Sequence, residues 1–268
     1  MIYINGSPIT LNTISGSYPP GSVEGETLKR ISSSNFAYRF DSMEQLEFEL
    51  KLRKNIVHAA IALHRSRFSF ETFRSSRCNP KYWERTANGG FLLNPGVSGY
   101  EAIADIYRSG HRYGTECATA IVIVYYGALV ETFPEQLFNA LFPRIYLMDW
   151  QNLNPTLGIR YVRRVPDFLP GDCLYIKNPD VDPLTPEFQG ENIIDLGNGT
   201  YYGHGIGIQT IERFIEVLNS YRIEGSQTSA YLLDSATRPD IEGLGDEYHK
   251  YQTGSYMRFY RPAQRLSV

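Results

Sequence analysis

Gly114-Thr115-Glu116-Cys117 runs directly into the apolar stretch Ala118-Thr119-Ala120-Ile121-Val122-Ile123-Val124-Tyr125-Tyr126-Gly127-Ala128-Leu129-Val130. Ile121-Val122-Ile123-Val124 alone fits a strand. The whole run is too long for an average strand and fits roughly three to four helical turns. It is too short to span a bilayer. The reading is therefore a central, fully buried helix with a thiol at its entry. Helix N-terminal amides and the macrodipole favour a thiolate there. Thr115 is the expected N-cap, and Glu116 places a carboxylate beside the sulfur. A free cysteine is also often a small buried apolar residue, so this stretch alone leaves Cys117 open between nucleophile and core.

Upstream, Ser42 with Gln45 three residues later fits a capping box. Leu46, Leu50, Ile56, Val57, Ala60, Ile61 and Leu63 then mark an amphipathic helix ending near Ser66. Tyr82-Trp83 and Phe91-Leu92-Leu93 read as short strands around Asn88-Gly89. Gly99 to Arg108 reads as a helix stopped at Ser109-Gly110. From Arg144 the pattern turns to β, with strands expected over 145–150, 159–165, 173–177, 192–196 and 201–208, and a helix from about Thr210 to Asn219. Helices first and strands later, with no repeat or internal linker, give a single α+β domain. Residues 1–40 are weakly patterned and loop-rich and read as an N-terminal arm. The catalytic domain is expected over 41–242, and 243–268 lacks the periodicity of a core element and reads as a C-terminal tail.

The chain has 268 residues, 42% hydrophobic and 21% charged, as in a soluble globular protein. Its net charge of −3 gives no reason to expect a nucleic-acid partner. Its 20 tyrosines favour partly polar protein contacts. Cys78, Cys117 and Cys173 make no disulfide framework and no CxxC pair, so reduced thiols in a cytosolic setting are expected, without zinc. The N-terminus has no basic n-region and no long apolar h-region, so no signal peptide is expected. No nucleotide or calcium motif is present.

Asn198-Gly199 between two β runs is a strong hairpin signal. As a two-residue loop it makes Gly197 face Thr200 and places His204 opposite Ile193. Glu191 is then a diagonal neighbour of His204 on the same face. A helix-entry cysteine packed on a sheet that carries a base is a papain-like arrangement, suited to acyl transfer through a thioester. Taken singly, His204 also fits a hydrogen-bonded core residue, and Glu191 fits a surface turn.

Several segments together resemble the bacterial spore-coat protein-glutamine gamma-glutamyltransferases: 48–57, Glu116-Cys117-Ala118-Thr119-Ala120-Ile121-Val122-Ile123, Gly171-Asp172-Cys173-Leu174-Tyr175, Gly190-Glu191-Asn192, His204-Gly205-Ile206-Gly207 and Ser229-Ala230-Tyr231-Leu232-Leu233. The resemblance covers roughly residues 36–240. It implies a compact fold related to the cell-wall cysteine peptidases. It also implies calcium-independent cross-linking of glutamine to lysine side chains of spore coat proteins, without a cofactor. Cys117 matches the nucleophile, and Glu191 and His204 match its acid/base partners. Glu116 matches a carboxylate that can share the base role. Phe70 and Trp150 match aromatics of the substrate tunnel. Phe188 stands where the family often has tryptophan and is expected to continue that wall. The resemblance places the protein in the mother-cell cytoplasm and then in the coat, with no membrane partner. A hydrolase, such as a protein deamidase or cell-wall peptidase, and a non-catalytic coat scaffold are the alternatives.

Overall fold

The protein is described from a computed structural model, which covers residues 1–151 and 153–254. Its longer helices are α1 (Val23–Ser33), α2 (Met43–Arg65), α3 (Gly99–Arg108), α4 (Cys117–Thr132), α5 (Ile211–Asn219) and α6 (Ile241–Gln252), with shorter helical segments such as Glu135–Leu141 among them. The main strands are β1 (Arg160–Arg163), β2 (Cys173–Lys177), β3 (Gly190–Asp195), β4 (Tyr201–Gly203), β5 (Gly207–Gln209) and β6 (Ser235–Arg238). They form an antiparallel sheet in the order β5-β4-β3-β2-β6-β1, with Tyr231–Leu232 paired beside β2.

The apolar stretch after Cys117 is helical, as its length implies, and it is buried continuously from Ala118 to Leu129. A helix apolar on every side must be surrounded. Here α2 and α3 lie on one side, and the face of the sheet carrying Cys173, Ile194 and Tyr202 lies on the other. The opposite face of the sheet buries Leu174, Ile176 and Ile193 under Phe214 and Leu218 of α5. This is the α+β layering expected, with the cysteine helix packed against an antiparallel sheet. Ser42 caps α2 by accepting from the Gln45 amide, while the Gln45 side chain reaches back to the Asp41 amide at 2.6 Å.

Two end segments are more structured than their patterning implies. Ile2–Ile4 pairs with Ser7–Ile9 and, in parallel, with Tyr38–Phe40, while Ser22 caps α1. Ile2, Leu28 and Ile31 of this segment bury against Leu46 and Leu50 of α2. Three-residue strands are too short to show an alternation, which is why the sequence reads as loop. In the region read as a tail, Leu244 of α6 is fully buried, and Tyr248 stacks on Phe133 with ring centroids 5.8 Å apart. Tyr256, Arg258, Tyr260, Arg261, Gln264 and Arg265 lie outside the described residues.

A buried ion network ties helix to sheet. Arg53 of α2 binds Asp172 at 2.9 Å and Glu49 at 2.6 Å, and Arg238 of β6 binds the other oxygen of Asp172 at 2.6 Å. Asp172 directly precedes Cys173, so this knot fixes the start of β2 against α2.

Candidate active site

Cys117 is the first residue of α4 and opens onto a cavity of about 480 Å³. The cavity is lined by Phe70, Glu116, Trp150, Tyr175, Glu187 and Asn192, among others. A cavity of about 560 Å³ between the start of α2 and α6 contains no cysteine, so the chemistry belongs to the first.

The helix entry differs from the expectation in one respect that changes the chemistry. Glu116, not Thr115, is the N-cap, and its two carboxylate oxygens accept from the Ala118 and Thr119 amides at 2.6 Å each. Thr115 is instead in a short strand beside Phe70. The amides expected to favour a thiolate are thus taken by a carboxylate. Burial pushes the Cys117 thiol well above its ordinary range, and repulsion from Glu191 and then Glu116 adds to this. Cys117 therefore rests as a thiol, and attack requires a base.

The two carboxyl groups share the same difficulty. Burial raises Glu191 strongly, with further repulsion from Glu116, against the backbone amide of His204. Burial also raises Glu116, opposed by its bonds to Thr119 and Ala118. Glu191 Oε1 is buried with no hydrogen-bond partner. Two carboxyl groups and a thiol that repel one another in a dry site hold protons in common and titrate as a set.

The hairpin register also differs. Gly197 and Gly199 both adopt φ of +83°, and Leu196 bonds to Thr200, so the loop has three residues rather than two. Ile193 consequently faces Gly203, not His204. The alternation then puts His204 on the side of Asn192 and Tyr202, opposite Glu191. The expected sharing of one face by Glu191 and His204 is overturned. His204 is buried, stacked on Phe68 with centroids 4.9 Å apart. Its Nε2 lies 3.0 Å from the Ser69 carbonyl and its Nδ1 lies 3.0 Å from the Tyr202 hydroxyl. A carbonyl only accepts, so Nε2 carries the proton and Nδ1 accepts from Tyr202. Burial lowers its pKa to about 4 despite the Ser69 and Thr115 carbonyls. Neither nitrogen is open to the proton of Cys117. In this structure His204 stands as a neutral imidazole between the Ser69 carbonyl and the Tyr202 hydroxyl.

Phe70 and Trp150 line the cavity. Phe188 does not: its ring lies flat on Tyr221, with centroids 3.5 Å apart, and the adjoining wall is made by Pro186, Glu187 and Gln189. The aromatic found there instead is Tyr175, whose hydroxyl passes over Gly190 through the space that a Cβ would occupy. Asn192 escaped the sequence reading as well. Alternation carried the signal, since a residue two places from core-facing Ile194 shares its face.

A family model described as protein-glutamine gamma-glutamyltransferase matches residues 1–248. The chain belongs to this transglutaminase family. The protein-glutamine gamma-glutamyltransferase of Halalkalibacterium halodurans is 42% identical over 238 residues, covering 89% of this chain and 82% of that one. That of Bacillus mycoides is 43% identical over 237 residues, covering 88% and 85%. A solved transglutaminase from Geobacillus stearothermophilus, without its C-terminal extension, superposes with a TM-score of 0.74 at 48% identity. It covers 77% of this chain and 98% of its own. The chain is thus a transferase of the acyltransferase class. The family match begins at residue 1 and ends at 248, within α6, so beyond residues 36–240 it takes in the N-terminal segment and the first part of the tail.

Proposed function

We propose that this transglutaminase forms glutamine–lysine isopeptide bonds between proteins through a thioester on Cys117. The supporting observation is the thiol lining a cavity walled by Phe70, Trp150 and Tyr175, with the Glu116 carboxyl in the same wall and Glu191 near enough to repel the sulfur's negative charge. A raised carboxylate is a stronger base than a free one and accepts the thiol proton more readily. Glu191 or Glu116 takes that proton, and the sulfur attacks the carboxamide carbon of a substrate glutamine. The tetrahedral intermediate collapses with return of the proton to nitrogen, and ammonia leaves. The amine of a substrate lysine then loses a proton to the freed carboxylate and attacks the thioester carbonyl. The isopeptide forms and the Cys117 thiol is restored. Water competes at the thioester, and the aromatic walls limit its access.

The family resemblance supports spore coat proteins as substrates, and a location first in the mother cell and then in the coat. Among the described residues no helix is long and apolar enough to cross a membrane. The catalytic unit is taken as 41–242, with residues 1–40 and the described part of the following segment, 243–254, packed against it. The test incubates the protein with a glutamine peptide, with and without a lysine analogue, and follows products by mass spectrometry. Coupled peptide with released ammonia is the expected result. Glutamate peptide alone at saturating amine identifies a hydrolase, and no product at all identifies a scaffold.

A further inference from the structure

Asn192 and Cys173 adjoin the nucleophile and have no part in the steps above. Asn192 stands on β3 beside the sulfur, nine-tenths buried. Its Nδ2 donates to Cys117 Sγ at 3.5 Å. Its Oδ1 lies 3.8 Å from Cys173 Sγ on the neighbouring strand, and Cys173 also lies 3.7 Å from the Leu174 carbonyl. One amide thus joins two thiols.

The two thiols differ in what they can do. Cys173 is fully enclosed, and burial raises it well above its ordinary range, so it keeps its proton. A group that remains S–H can donate to Oδ1, which leaves the NH₂ end of the amide facing Cys117. With Oδ1 turned toward Cys117 instead, the amide would oppose the sulfur's negative charge. The Ala118 and Thr119 amides are occupied by Glu116, so the helix terminus does not supply this donor.

We propose that Asn192 is a catalytic residue whose amide N–H holds the anionic Cys117 sulfur, and that Cys173 is a positioning residue that fixes the direction of that amide. The proposal deepens the acyl-transfer reading and rests on it for the consequence in turnover. Its first test does not need that reading, because alkylation of the thiol requires no glutamine.

The measurement is the pH dependence of iodoacetamide alkylation at Cys117, read by mass spectrometry of the Cys117 peptide so that Cys78 and Cys173 do not contribute. Glu116, Glu191, Asp149, Tyr175 and Tyr202 also act on this sulfur or its immediate neighbours, and they are the same in every variant. Asn192→Ala is expected to move the alkylation midpoint up by about one pH unit or more. It should also lower kcat for a glutamine peptide by about 10²-fold with KM unchanged, the usual worth of a preorganised donor. Cys173→Ala should move the midpoint in the same direction and lower kcat by about 3- to 10-fold, and Cys173→Ser, which keeps a short donor, should recover most of this. The double variant Asn192→Ala/Cys173→Ala should be no worse than Asn192→Ala alone, since Cys173 acts only through the amide. An unchanged midpoint in folded Asn192→Ala overturns the proposal, and multiplied losses in the double variant overturn the role of Cys173. If Asn192→Ala does not fold, the Cys173 pair decides: identical profiles for alanine and serine refute it. A shifted midpoint in a chain without transferase activity leaves this inference standing and removes only the acyl-transfer reading.

Discussion

Replacing His204 with glutamine is expected to change the acid side of the stability profile. The buried imidazole has a pKa near 4 against 6.5 for the free side chain. Below the free value the unfolded chain takes up a proton that the folded chain refuses. The contribution of neutral His204 is therefore fully present above about pH 6.5 and is lost as pH falls toward about 4. The difference of about 2.5 units at 1.36 kcal/mol each comes to about 3 kcal/mol. Glu116 and Glu191 act in the opposite sense, because their raised values make the folded chain hold protons that the unfolded chain releases as pH rises. They are present in both proteins and cancel in the difference. Urea unfolding of wild type and His204→Gln at several values between about pH 7 and about pH 4 gives the comparison. The wild type should lose about 3 kcal/mol relative to the variant across that window. A gap that stays constant with pH would refute a neutral, doubly bonded imidazole and reopen His204 as a proton acceptor.

Cys117→Ser and Cys117→Ala should fold normally and lose amine incorporation; near-native turnover by the serine variant would exclude the thioester. Glu191→Gln should lower the transfer rate by about 10²-fold or more, and Glu116→Gln by less if the two carboxylates are partly redundant. Removing the Glu116 charge also lifts repulsion from Glu191, so the basic rise of the pH–rate profile should move to lower pH; a move upward contradicts the shared site. Truncation after Ile241 removes fully buried Leu244 and stacked Tyr248 and should lower the melting temperature by several degrees or abolish folding. A melting temperature equal to that of the full chain would show that α6 is dispensable. Amine incorporation in excess chelator should equal that with added calcium, and a rise with calcium would overturn the expected independence.

The long elements were legible because their signals are local. The bounds of α2, α3 and α4 follow from Ser42, Ser109 and the unbroken apolar run after Cys117. The hairpin was legible as a hairpin, but its register depended on whether Gly197 belongs to the loop or to the strand. One residue there exchanges the face of His204 relative to Glu191. The cap was misplaced because threonine is a favoured N-cap and glutamate is not. Only a site that gains from a carboxylate at that point selects Glu116. Phe188 was misassigned because its partner, Tyr221, is remote in sequence and no local pattern reveals the stack. The end segments were missed because their strands are too short to alternate and because Leu244 and Tyr248 pack on α2 and α4 only after the chain has folded.

The knot of Arg53, Asp172 and Arg238 bears on how the protein responds to ionic strength. Ion pairs on the surface, such as Lys29 with Glu26, lie within reach of mobile ions and weaken as salt is added. Arg53 and Asp172 have almost no solvent contact, so the counterion atmosphere cannot enter between them. Concentrated electrolyte therefore loosens the periphery while the junction of α2 with β2 keeps its grip. Cys173 begins at that junction, and through Asn192 it borders the reactive sulfur. The part of the framework that aims the site is held by charge and yet is insulated from the ionic composition of the surrounding water.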